Sequence, residues 1–194
     1  MISRATIRSS VVVTGIVLLL TLIPVRALPS QARDHLTEKE QELVRDAQIL
    51  DKRIDVFIKA IDRLLLVLKG VTASDKQAKK DAEVWGDPPV GSPAQLVSDI
   101  ARIIDEAITN IDDVNARDDK NPLIPKALRK LAAAATRTVE ELRPLHSQSE
   151  SATSGFDLIV QHAEELSNAA NKLPPPVEKK SKDKNKTEKS KTTN

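Results

Sequence analysis

The sequence predicts an all-α protein: an antiparallel up-down-up-down four-helix bundle with one long first helix, an N-terminal signal segment and a disordered C-terminal tail. Three observations lead there. Apolar residues recur at alternating spacings of three and four in four separate stretches, which is the period of a helix and not of a strand. The stretches are divided by breaks rich in Gly, Pro, Ser and Asp. The chain of 194 residues has one Trp, two Phe, no Tyr and five Gly, a composition that suits aliphatic helix packing better than a sheet.

The chain opens on Arg4 and Arg8, then an apolar run from Val11 to Ile23, then Pro24-Val25-Arg26-Ala27. A positive start, an apolar centre and small or modest residues at the end predict a signal peptide over 1–27, cleaved after Ala27. The alternative is an uncleaved anchor through residues 9–25. Either route places the remainder outside the cytoplasm, in the periplasm or the extracellular space. Residues 28–36 read as a flexible lead-in.

The long first helix, about 38–69, carries the most regular seam: Leu43, Ala47, Leu50, Ile54, Phe57, Ile61, Leu64 and Leu68, a coiled-coil-like repeat. Thr37-Glu38-Lys39-Glu40 supplies a capping box at its start, and Gly70 a left-handed stop. At 1.5 Å per residue it would run about 48 Å. The opposite face bears Asp51, Lys52, Asp55, Lys59, Asp62 and Arg63, read as a solvated face. A helix of this length also offers a surface for pairing with a second copy.

A short polar helix is predicted over 75–84 behind a second capping-box pattern, Ser74 to Gln77. Residues 85–93, Trp85-Gly86-Asp87-Pro88-Pro89-Val90-Gly91-Ser92-Pro93, have turn chemistry. Trp85 either anchors a partner or plugs one end of the bundle.

The second bundle helix, 93–117, starts from Ser92-Pro93-Ala94-Gln95, with a capping serine, proline at the first position and glutamine at the third. Its stripe is Leu96, Ile100, Ile103, Ala107, Ile111 and Val114. Asp118 to Asn121 make a turn short enough to send the third helix, 122–146, back antiparallel. That helix carries Leu128, Leu131, Ala135, Thr138, Leu142 and Leu145, and Pro144 is expected to kink or end it. Ala132 to Ala135 permit close helix approach, or leave room for an apolar ligand. After a serine-rich break the fourth helix, 154–173, shows Phe156, Ile159, Ala163, Leu166, Ala170 and Leu173. Pro174-Pro175-Pro176 stop it, so the bundle domain covers 37–173 and the tail 174–194.

Charge is divided unevenly. The whole chain is at +2. Three arginines and no acid in 1–27 leave 28–194 at −1. Seven lysines against three acids give residues 177–194 a charge of +4, so 28–173 stands at −5. With no large apolar residue after Val177, the tail cannot offset its ordering entropy and is expected to be disordered. Lys179, Lys180, Lys182 and Lys184 make it a candidate for anionic envelope surfaces, the alternative being a tail that only solubilises the chain. Nucleic acid is not expected, since the body is acidic and no aromatic stacking set exists.

There is no cysteine, which removes disulfides, thiolate nucleophiles and thiolate metal sites. Of the three histidines, His162 with Glu165 forms an i, i+3 pair, and His146 with Glu150 an i, i+4 pair if helical. Two donors fall short of a site, so no metal and no cofactor is predicted, with His162 and Glu165 the residues to check. No nucleophile elbow and no phosphate loop occurs. The expectation is a non-catalytic interaction or structural protein of the cell envelope, binding a protein partner or itself. The alternative is a small-ligand or metal carrier with a site between helices, near Ala132–Ala135 or His162.

Overall fold

The structure, a computed structural model, describes residues 34–71, 75–146 and 153–174. The signal segment, most of the lead-in, Ser74 and residues 175–194 of the tail lie outside them. Within the described residues the protein is all-α, with helices α1 (Glu38–Asp46), α2 (Leu50–Leu68), α3 (Asp75–Trp85), α4 (Pro93–Arg117), α5 (Ile124–His146) and α6 (Thr153–Asn171). None of these helices is long and apolar enough to cross a membrane.

Local chemistry sets most ends. Thr37 Oγ1 accepts from Glu40 N, and Glu40 Oε2 accepts from Thr37 N at 2.8 Å, completing the box that starts α1. Ser92 and Gln95 make the same reciprocal pair before α4, with Pro93 in the first turn. Gly70, at φ 63°, closes α2: its N–H donates to Val67 O and that of Val71 to Leu66 O, each at 3.0 Å. Before α5, Asn121 Oδ1 accepts from Leu123 N at 3.0 Å, so helical bonding begins at Ile124 and not at Pro122. Pro144 sits inside α5, which runs on to His146.

The single first helix expected over 38–69 is two helices. Ala47 leaves helical geometry at ψ 82° and Ile49 is extended, although the apolar seam passes straight through Ala47. Side chains replace the backbone donors a continuous helix would supply. Gln48 Nε2 donates to Arg45 O at 2.7 Å, and Arg53 Nε donates to Ala47 O at 2.9 Å. The cause lies further away. Glu40 is buried, and its Oε1 accepts from Nη1 of Arg63, which is buried too. In one straight helix those residues would stand about 34 Å apart. The break folds α1 back over α2 so that they meet.

Helix α2 packs on α4 and α5, α4 on α6, and α5 on α6. Ion pairs between α2 and α5 join residues 75 apart at three levels, so these neighbours run parallel. Helices α5 and α6 are antiparallel: Thr136 Oγ1 lies 3.4 Å from Ser167 Oγ, and Arg129 Nη2 donates to Pro174 O. Gly155 near the start of α6 lies against Ser98 and Val97 near the start of α4, where an added Cβ would come within 3.2 Å of Ser98 N. Between these helices Ile54, Phe57, Ile61, Ile100, Ile103, Ile104, Leu131, Leu142 and Ile159 have almost no exposure. Each contributes about 1.5–3 kcal/mol by leaving water.

Glu40→Ala is expected to cost about 3–5 kcal/mol in urea unfolding, because it strands the Arg63 charge. Glu40→Leu combined with Arg63→Met should recover most of that loss. A single-variant cost below about 1 kcal/mol would show that the pair does not hold α1 down.

Candidate functional site

Arg63 also builds the connection that carries the lone tryptophan. Its Nη2 donates to Gly86 O at 2.9 Å and to Asp87 O at 2.7 Å. Gly86 has φ 71°, and a Cβ there would meet Lys39 Cβ at 3.2 Å, so both its backbone and its closeness to α1 require glycine. Within the connection Pro89 is buried. On this pinned segment Trp85 is half-buried, while Val84 and Val90 are 51% and 79% exposed. Two exposed valines thus flank the segment that Arg63 holds at Gly86 and Asp87. The other predicted partner residues, Lys179, Lys180, Lys182 and Lys184, lie outside the described residues.

His162 is buried on α6, and neither ring nitrogen has a hydrogen-bond partner. Its Nδ1 stands 3.9 Å from Glu165 Oε2, a loose contact, and Glu165 points to solvent. No group of three or more metal-ligating side chains occurs among the described residues. His35, before α1, approaches Glu106 of α4 at 2.6 Å, beside a crevice of about 320 Å³ lined by Leu36, Gln41, Val44 and Arg45. Ala132, Ala134 and Ala135 are buried and Ala133 is exposed. These small residues bring α5 close to α6, and the space beside them is an open surface trough.

The face of α2 expected to be solvated is largely paired. Lys126 donates to the buried Asp51, Lys130 Nζ lies 2.5 Å from Asp55 Oδ1, and Arg137 Nη2 lies 2.5 Å from Asp62 Oδ1. Beyond them the sense reverses, with Lys69 Nζ 2.7 Å from Glu141 Oε2. The hydrogen bond from Lys126 holds the Asp51 carboxyl below its ordinary value, against the opposing effect of burial, and Asp51 raises Lys126 in turn. Asp62 is different: loss of solvent raises its pKa in spite of Arg137.

Sequence reasoning missed the buried pairing of Arg63 with Glu40 and this row. A signal existed for each. Val56, Ala60, Arg63 and Val67 form a second stripe beside the main seam, so Arg63 occupies an inward position. Acids at 51, 55 and 62 have the same spacing as bases at 126, 130 and 137.

Comparison with known proteins returns no match: no family model, no curated protein and no solved structure matches the chain.

The two carboxylates should respond oppositely to pH. The lowered Asp51 contributes stability above its unfolded value near 3.8, lost as pH falls through the lower folded value. Lys126 contributes below its unfolded value near 10.5, lost as pH rises through the raised one. Asp62 opposes folding at neutral pH, and acid relieves it. Asp51→Asn should therefore lower the melting temperature at pH 7 by a margin that closes in acid. Asp62→Asn should leave it unchanged or raise it. Thermal melts from pH 2 to 8 check both, and equal losses for the two variants at pH 7 would contradict the assignment.

Proposed function

We propose that this is a non-catalytic interaction protein of the cell envelope, exported by the segment 1–27. Its four long helices serve as one four-helix bundle that presents a docking edge to a protein partner. The observation that carries this is the edge at Val84, Trp85 and Val90. Apolar side chains left in water on a backbone fixed by a buried arginine are pre-organised for contact, so little ordering entropy remains to be lost on binding. Export, the envelope location and contact of the lysine tail with anionic surfaces are parts of the same proposal, resting on the signal pattern and on the +4 charge of residues 177–194.

The test is recovery of the complex from the protein's own host. Val84→Asp with Val90→Asp should reduce the co-purifying partner at least ten-fold and leave the melting temperature within a degree or two. A partner retained in full by this variant would sink the docking edge. Native mass spectrometry of the recovered chain reads export as well, through a first residue at Leu28.

A second reading, a small-ligand or metal carrier, draws on the unbonded nitrogens of buried His162. It requires an excess mass in the native spectrum that is lost in His162→Gln. A spectrum of bare chain for both proteins removes it.

A further inference from the structure

Residues 34–47 reach two of the bundle helices, and polar side-chain contacts hold them at three points. At the start, His35 Nε2 stands 2.6 Å from Glu106 Oε2 on α4. In the middle, Glu40 accepts from Arg63 of α2. At the end, Arg53 Nε donates to Ala47 O at 2.9 Å, while its Nη1 donates to Asn110 Oδ1 on α4 at 3.0 Å. Apolar burial adds less. Leu36 is buried and Val44 partly so, but the one buried residue of α1 itself is Glu40. Past Ala47 the chain enters α2 through Ile49, which is exposed and supplies no side-chain cap. A segment with few buried apolar contacts, joined by an uncapped break, belongs to the low-stability end of a structure and opens while the core stays folded.

The consequence of opening falls on the connection at 84–90. Helix α3, which leads into it, packs on α1, and Gly86 lies against Lys39. Arg63, which holds Gly86 O and Asp87 O, has Glu40 as its buried counter-charge. With α1 drawn off, Arg63 loses that charge and gains water, so its grip on the two carbonyls competes with hydration. Order at the connection therefore depends on whether α1 is seated.

We propose that residues 34–47 are a strap that opens as a unit ahead of the bundle and, through Glu40 and Arg63, controls whether the edge at Val84, Trp85 and Val90 is held for docking. This is regulation of the partner surface proposed above, and its consequence for binding rests on that reading. Coupling between two sites is reciprocal. A partner on the edge holds the strap shut by the same factor by which opening of the strap weakens the partner.

The test is native-state hydrogen exchange on the full chain with no partner present, so the rates do not depend on what the edge binds. Gln41 N–H donates to Thr37 O and Ala47 N–H to Leu43 O. These two amides should exchange at least a hundred-fold faster than those of 131–135 and 159–163. Glu40→Gln should speed both of them, and also Gly86, whose N–H donates to Ala82 O at 3.0 Å, at least ten-fold. Glu106→Gln is the sharper variant, because its side chain meets the strap at His35 and not at Arg63. It should speed the α1 amides and Gly86 together, at least three-fold, and leave 159–163 unchanged. Exchange of α1 at the rate of the core overturns the proposal, as does a Glu106→Gln chain in which α1 quickens and Gly86 does not. Equal acceleration of the core also overturns it, since the loss would then be global. Failure of the docking reading would show in partner recovery and not in these rates.

Discussion

The buried pair of Glu40 and Arg63 is the constraint on which the amino-terminal half depends. Each group would be costly alone in the interior, where an unpaired charge loses its hydration without compensation. Together they satisfy one another, and their remaining valences go to backbone: Glu40 to Thr37 N, Arg63 to Gly86 O and Asp87 O. The pair therefore sets three things at once. It folds α1 back on α2, forces the break at Ala47 to Ile49, and fixes the connection whose apolar edge carries the proposed partner surface.

The carboxy-terminal half is organised by direction. Neighbours α2 and α5 run parallel, so their backbone dipoles place like ends side by side, mildly unfavourably. The pairs of Lys126 with Asp51 and of Lys130 with Asp55 counter this, and the whole row fixes register. A slip of one turn in one sense would set the buried Asp51 opposite Pro122, and in the other would give it Lys130 but set Asp62 opposite Glu141. Exposed members such as Lys69 with Glu141 add little on their own. At the opposite side, Gly155 against Ser98 brings α6 close to its parallel neighbour α4.

Features completed within a few residues could be read from the sequence. The capping boxes at Thr37 and Ser92 and the glycine stop at Gly70 are of this kind, since every participating group lies inside one short window. The all-helical class followed from periodicity for the same reason. The break in the first helix could not be read, because the seam through Ala47 is locally sound and the competing contact lies 23 residues away. Arg63 resembled a surface charge until its place in the stripe of Val56, Ala60 and Val67 was matched with a burial partner. For the site, Trp85 and the His162–Glu165 pair were visible as residue types. The exposure of Val84 and Val90 depends on how the connection is pinned.

The constant separation of 75 residues across the charged row bears on how the chain is made. A ribosome adding about 5–20 residues per second completes α2 about 4–15 seconds before the matching part of α5 exists. During that interval α4 is the one long helix available to cover the stripe of Ile54, Phe57 and Ile61. The acids at 51, 55 and 62 keep the flank of α2 charged while it waits, which opposes premature association with other nascent chains.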